Sequence, residues 1–138
     1  MGVEIDIVYQ GNLHCQATHG PSGSTLVTDA PVDNGGKGEV FSPTDLVATA
    51  LGSCLLTIMG LVAKRNGLNV DGVSAHVTKE MAAAPVRRIG KLLCVVTVPN
   101  SAGISAEDRT KLEKGALACP VAQSLHPDTQ VQIEFRYI

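Results

Sequence analysis

Tryptophan is absent from this 138-residue chain, and two tyrosines and two phenylalanines are its whole aromatic complement. So few rings exclude a stacking platform for single-stranded nucleic acid and an aromatic groove for polyproline ligands. An excess of either charge is also missing: 11 Lys and Arg face 13 Asp and Glu, for a net charge of −2. That removes the electrostatic case for nucleic acid or an anionic membrane surface as a partner. The first residues lack the basic stretch and apolar run of a secretory signal, so the expected location is cytoplasmic. The cysteines, Cys15, Cys54, Cys94 and Cys119, form no C-x-x-C pair. Neither a disulfide framework nor a finger-type metal site is therefore expected. Asp33-Asn34-Gly35-Gly36 has a superficial likeness to a calcium loop but lacks its downstream bidentate Glu. No metal and no cofactor are expected.

What is present is a chain 44% hydrophobic and 17% charged, a composition that folds. Its length suits one domain, taken as 1–138, with a core of Val, Leu, Ile and Ala. Leu46 to Ala63 carries no charge and approaches membrane-span length. It is interrupted by Thr49, Gly52, Ser53, Cys54, Thr57 and Gly60 and lacks flanking Trp or Tyr. The better reading is a helix apolar all round because it is buried all round.

Val3, Ile5, Ile7 and Tyr9 alternate as a strand. Gly11-Asn12 signals a turn, and His14 to Thr18 reads as the returning strand. Leu26 to Thr28 is a third, and Asp33 to Gly38 a flexible loop. Ser42-Pro43-Thr44-Asp45 starts a helix: Ser42 as N-cap, Pro43 at N1, Asp45 as the reciprocal half of a capping box. Gly67 suits its end, behind Lys64 and Arg65. Strands follow at Val73–Lys79 and Arg88–Val98, the latter apolar on both faces and so central. Ser105 opens a helix to about Leu117, Cys119-Pro120 restarts a short one, and Val131 to Tyr137 alternates to the end. Mixed order with hairpins gives an α+β fold. A long apolar helix needs more cover than one small sheet provides, so a homodimer is expected.

The thiols read differently from local context. At a helix start Cys119 gains free N–H groups that favour a thiolate, which makes it a candidate redox cysteine. Cys54, mid-helix among Ala50, Leu51, Ile58 and Leu61, reads as inert unless polar groups such as Ser53 or Thr57 reach it. Cys94 and Cys15 read as core. His14 or His19 could serve a cysteine as base; His76 and His126 read as structural or solvated.

Phe41-Ser-Pro-Thr-Asp-Leu-Val-Ala-Thr-Ala-Leu-Gly-Ser-Cys54, with the long helix behind it, resembles the OsmC/Ohr superfamily of osmotically inducible and organic-hydroperoxide-resistance proteins. Ala118-Cys119-Pro120-Val121 with Ser124-Leu125 is similar to that family's second cysteine motif. Segment order and length agree from end to end. The resemblance implies an OsmC-like fold, with antiparallel sheets wrapped around a long buried central helix, in an intertwined homodimer. It implies a thiol peroxidase for organic hydroperoxides, with Cys54 peroxidatic and Cys119 resolving, the two meeting at the subunit interface and regenerated by an external dithiol. It requires no flavin, haem or metal.

The sequence departs from the family pattern in two places. No Lys or Arg precedes Lys37, where the peroxidase branches place an Arg, and Thr44 follows Pro43 where they place a Glu. Glu39, Asp45, Arg87, Arg88, His14 and His19 are the candidates for an activating group. Two rival functions stand beside the peroxidase: a non-enzymatic module binding a small apolar ligand at the dimer interface, and a thiol hydrolase built on Cys119 and a His.

Overall fold

The computed structural model describes residues 2–138, which form two compact units divided after Val47. The first holds an antiparallel sheet in the order β1 (Ile5–Gly11), β2 (His14–His19), β3 (Thr25–Asp29). Asn12 and Leu13 turn the first hairpin, both at positive φ (55° and 60°). This pair of left-handed residues matches the twist of the strands they join. The register places His14 opposite Asp29 across β2 and β3.

Beyond β3 the chain does not remain the loose loop that its glycines suggest. Val32–Asn34 make one 3₁₀ turn, and Gly36 and Gly38 donate their N–H groups to the Pro31 and Ala30 carbonyls. A Cβ on Gly36 would lie 1.9 Å from the Ala30 carbonyl oxygen, so only glycine fits. Hydrogen bonding within the segment, rather than composition, decides its order.

Helix α1 (Pro43–Arg65) begins as expected. Ser42 Oγ accepts from Asp45 N at 3.1 Å and Asp45 Oδ2 accepts from Ser42 N at 2.9 Å. Both halves of the capping box are made. The 23 residues run for about 35 Å.

The second unit sets α1, from Ala48 onward, with β4 (Ser74–Ala82), β5 (Arg88–Val98), α2 (Ala106–Leu117), α3 (Pro120–Gln123) and β6 (Gln130–Tyr137). Its sheet runs β4-β5-β6. β4 is antiparallel to β5, but β6 is parallel to it, which corrects the expectation of wholly antiparallel sheets. The cause is the connection. A parallel neighbour requires a long crossover, and α2 and α3 supply it between Val98 and Gln130.

Leu51, Leu55 and Met59 of α1 are fully buried in one core with Leu92, Cys94, Val96 and Val98 of β5 and with Leu112 and Ala116 of α2. Gly52 lets α1 approach β4, since a Cβ there would lie 3.1 Å from Val77 Cγ2. Gly115 does the same for α2 against Val62 and Ile58 of α1.

By length and composition α1 could cross a membrane, yet one face is committed to this core. The opposite stripe, Thr49, Ala50, Ser53, Thr57 and Leu61, is exposed. Burial all round therefore does not hold within one chain, because a single three-stranded sheet and α2 cover only one side. β5 is likewise central but unequally covered: Leu92, Cys94, Val96 and Val98 are buried, Leu93 and Val95 only half so.

Candidate functional site

Cys54 sits in the middle of α1, one residue before the buried Leu55, and is half-buried. Its helix neighbours do not solvate it in the way the sequence allowed. Thr57 turns its hydroxyl back to donate to the Ser53 carbonyl at 2.8 Å, a local bond that keeps it on the helix surface. Cys119 is fully buried at the N-cap of α3. α2 ends at Leu117, and Pro120 fixes the first helical residue after the cap. Cys119 Sγ then accepts from Ala122 N at 3.3 Å.

These elements bring the two thiols together: Cys54 and Cys119 are side-chain hydrogen-bond partners within one chain. All four cysteines are free thiols. Burial pushes the Cys119 thiol up from its ordinary value, the Ala122 N–H pulls it down, and Cys54 adds a further upward push. Desolvation prevails, which corrects the expectation that the helix start would leave Cys119 readily ionised. Cys119 keeps its proton and can donate it to sulfur at Cys54. Cys94 lies in the same core, its thiol also raised by burial and then by the charge of Cys119.

The other candidates are held by contacts of their own. Arg88 donates to the backbone carbonyls of Ile89 and Asp128. Asp45 completes the α1 capping box. His19 Nδ1 lies 2.6 Å from Ser22 Oγ. Arg87 and Glu39 are exposed. His14 Nδ1 meets Asp29 Oδ1 at 2.5 Å, and Asp29 is buried at 5% exposure. Sequence reading missed Asp29; the signal available was its place opposite His14 in two adjacent strands, which needs the register. Among the described residues no group of three or more His, Cys, Asp or Glu converges as a metal site.

Comparison with known proteins follows the same lines. A family model described as OsmC-like protein matches residues 36–134. No curated protein gives a significant match. Among solved structures, one from Psychrobacter arcticus 273-4 is 42% identical, with 96% of this chain and 94% of that one covered and a TM-score of 0.88. Its name assigns that protein to an osmotic stress induced and detoxification response. An organic hydroperoxide resistance protein OsmC from Legionella pneumophila is 18% identical, with 99% and 97% covered and a TM-score of 0.75. One from Elizabethkingia anophelis, also named for organic hydroperoxide resistance, is 15% identical, with 100% and 97% covered and a TM-score of 0.74. At those identities the last two establish likeness of fold.

Proposed function

This chain belongs to the OsmC-like protein family, and on that premise we propose that it is a two-cysteine thiol peroxidase that reduces organic hydroperoxides in a stress response. The observation that carries this reading is the contact between the half-buried Cys54 and the proton-retaining Cys119. In this scheme the Cys54 thiolate attacks the terminal peroxide oxygen. The O–O bond breaks, the alkoxide leaves and takes a proton, and Cys54 becomes a sulfenic acid. Cys119 then attacks the Cys54 sulfur, a disulfide forms, and water leaves. An external dithiol returns both thiols by exchange.

Support for a homodimer comes from what one chain leaves bare. Ile5, Ile7, Val8 and Tyr9 of β1 are all more than half exposed, and α1 exposes the stripe ending in Leu61. Apolar surface of that extent is the usual mark of a partner, here a second copy with which the chain intertwines. A cytoplasmic setting fits the reduced thiols that the cycle needs.

A second reading is favoured by one feature. Ile7, Cys15, Ala17, Leu26, Pro43 and Leu46 line an apolar cleft of about 280 Å³, and the chain lacks the family's N-terminal Arg. Under that reading the protein binds a small apolar ligand without turnover. Peptide mapping after one equivalent of an organic hydroperoxide, with hydrogen peroxide in parallel, separates the two. A Cys54–Cys119 disulfide, formed faster with the organic peroxide, is the expected result. Unchanged thiols in folded protein would overturn the peroxidase reading and favour the binding module.

A further inference from the structure

Gln10, Asn12, His14, Asp29, Lys37 and Glu39 line a polar pocket of about 350 Å³ at the hairpin end of the N-terminal sheet. We propose that this pocket is a second binding site, for a small organic acid that carries a hydrogen-bond donor beside its carboxylate, such as a hydroxy or amino acid.

The pocket is built rather than incidental. Register sets His14 against Asp29, and the turn through Gly36 and Gly38 returns the chain so that Glu39 N donates to Asp29 Oδ2 at 3.2 Å. Asp29 is thus buried with both carboxylate oxygens bonded, one to His14 and one to the backbone. The hydrogen bond to His14 holds its carboxyl below the ordinary value, against the opposing effect of burial. It remains an anion whose role is internal, fixing the imidazole as the carboxylates behind ligand-binding histidines do. With Nδ1 occupied, Nε2 is the ring atom left for a ligand.

Lys37 has no ion-pair partner among the described residues, so its ammonium is the cation available to a carboxylate at this pocket. Gln10 Nε2 is already donated to Gln16 Oε1 at 3.0 Å. Glu39 contributes an acceptor. A ligand bearing only anionic groups would offer the Glu39 carboxylate no donor. One bearing a hydroxyl or ammonium beside the carboxylate satisfies Lys37 and Glu39 together. The volume stands near the lower end for small-molecule sites and suits a compact polar ligand.

The test uses the full chain with isotope-labelled histidine, followed by NMR during titration with malate, with L-serine, and with succinate, which matches malate but lacks the hydroxyl. Malate or L-serine should shift the His14 ring resonances saturably, and the stronger of the two tells hydroxy from amino acid. Succinate should bind about tenfold more weakly than malate, and Lys37→Met should weaken malate by about tenfold, each equivalent to about 1.4 kcal/mol. Lys37 is an exposed loop residue, so its substitution tests binding without removing a buried contact. No saturable shift with malate or L-serine, equal binding of succinate, or undiminished binding by Lys37→Met would overturn the proposal.

Discussion

Cys119 caps the N-terminus of α3 with the same sulfur that is hydrogen-bonded to Cys54 on α1. The cap fixes where the thiol sits, while burial keeps it protonated. Position and protonation state are therefore set by different parts of the structure, the first by a Cys-Pro helix start and the second by the core around it.

This arrangement assigns distinct roles that single substitutions separate. Cys54→Ser should abolish hydroperoxide turnover. Cys119→Ser should leave a Cys54 sulfenic acid that a dimedone-type probe captures stoichiometrically, with steady-state turnover lost for want of a resolving thiol. Probe mass on any other cysteine in the Cys119→Ser protein would reassign the attacking thiol.

Alkylation of reduced native protein should follow exposure and charge. Iodoacetamide should modify half-buried Cys54 and Cys15 first, while Cys94 and Cys119, fully buried and held in the protonated thiol form by that burial, react only on unfolding. Mapped peptides over a time course would check this. Early labelling of Cys119 would contradict its retained proton.

Gly115→Ala should destabilise the second unit by about 1–2 kcal/mol. The added Cβ would lie 2.7 Å from Val62 Cγ2 and 3.4 Å from Ile58 Cγ2. Overpacking of this kind costs about 1–3 kcal/mol, against a gain in helix propensity of no more than about 1 kcal/mol. Val62→Ala should relieve most of the cost in the double variant, a coupling that denaturant unfolding of the four proteins would measure.

Ser42→Ala should cost about 1 kcal/mol, by losing the acceptor for Asp45 N at the start of α1. Denaturant unfolding would read it as a lower midpoint at constant slope. The loss should be less than for Leu55→Ala, which removes a fully buried side chain at about 2–5 kcal/mol.

Acid should unfold the protein in part through Asp29. Its carboxyl ionises below the ordinary 3.8 because His14 bonds it. The unfolded chain therefore takes up this proton first as pH falls. The stability Asp29 contributes is complete above the ordinary value and is lost as pH falls through the lower, folded value. Asp29→Asn should flatten the dependence of stability on pH below about 4, and urea titrations across that range would show it.

Much of the fold was legible because its signals are local. Arg88–Val98 is a strand by its apolar run, Ser42-Pro43-Thr44-Asp45 starts a helix by capping chemistry, and Cys119-Pro120 starts another. These depend on residues within a few positions of each other, and the sequence contains them in full. It also determined which thiols were worth comparing, through two motifs whose spacing resembles a family to which the chain belongs. Three matters were decided only by the tertiary structure. β6 lies parallel to β5 because a crossover, not a hairpin, returns it. Cys119 is raised rather than lowered because burial outweighs the backbone N–H groups of Ala122 and Val121, and burial depends on everything packed around it. His14 meets Asp29 because two strands align in one register. Each depends on contacts between residues distant in sequence, and no local pattern encodes the balance among them.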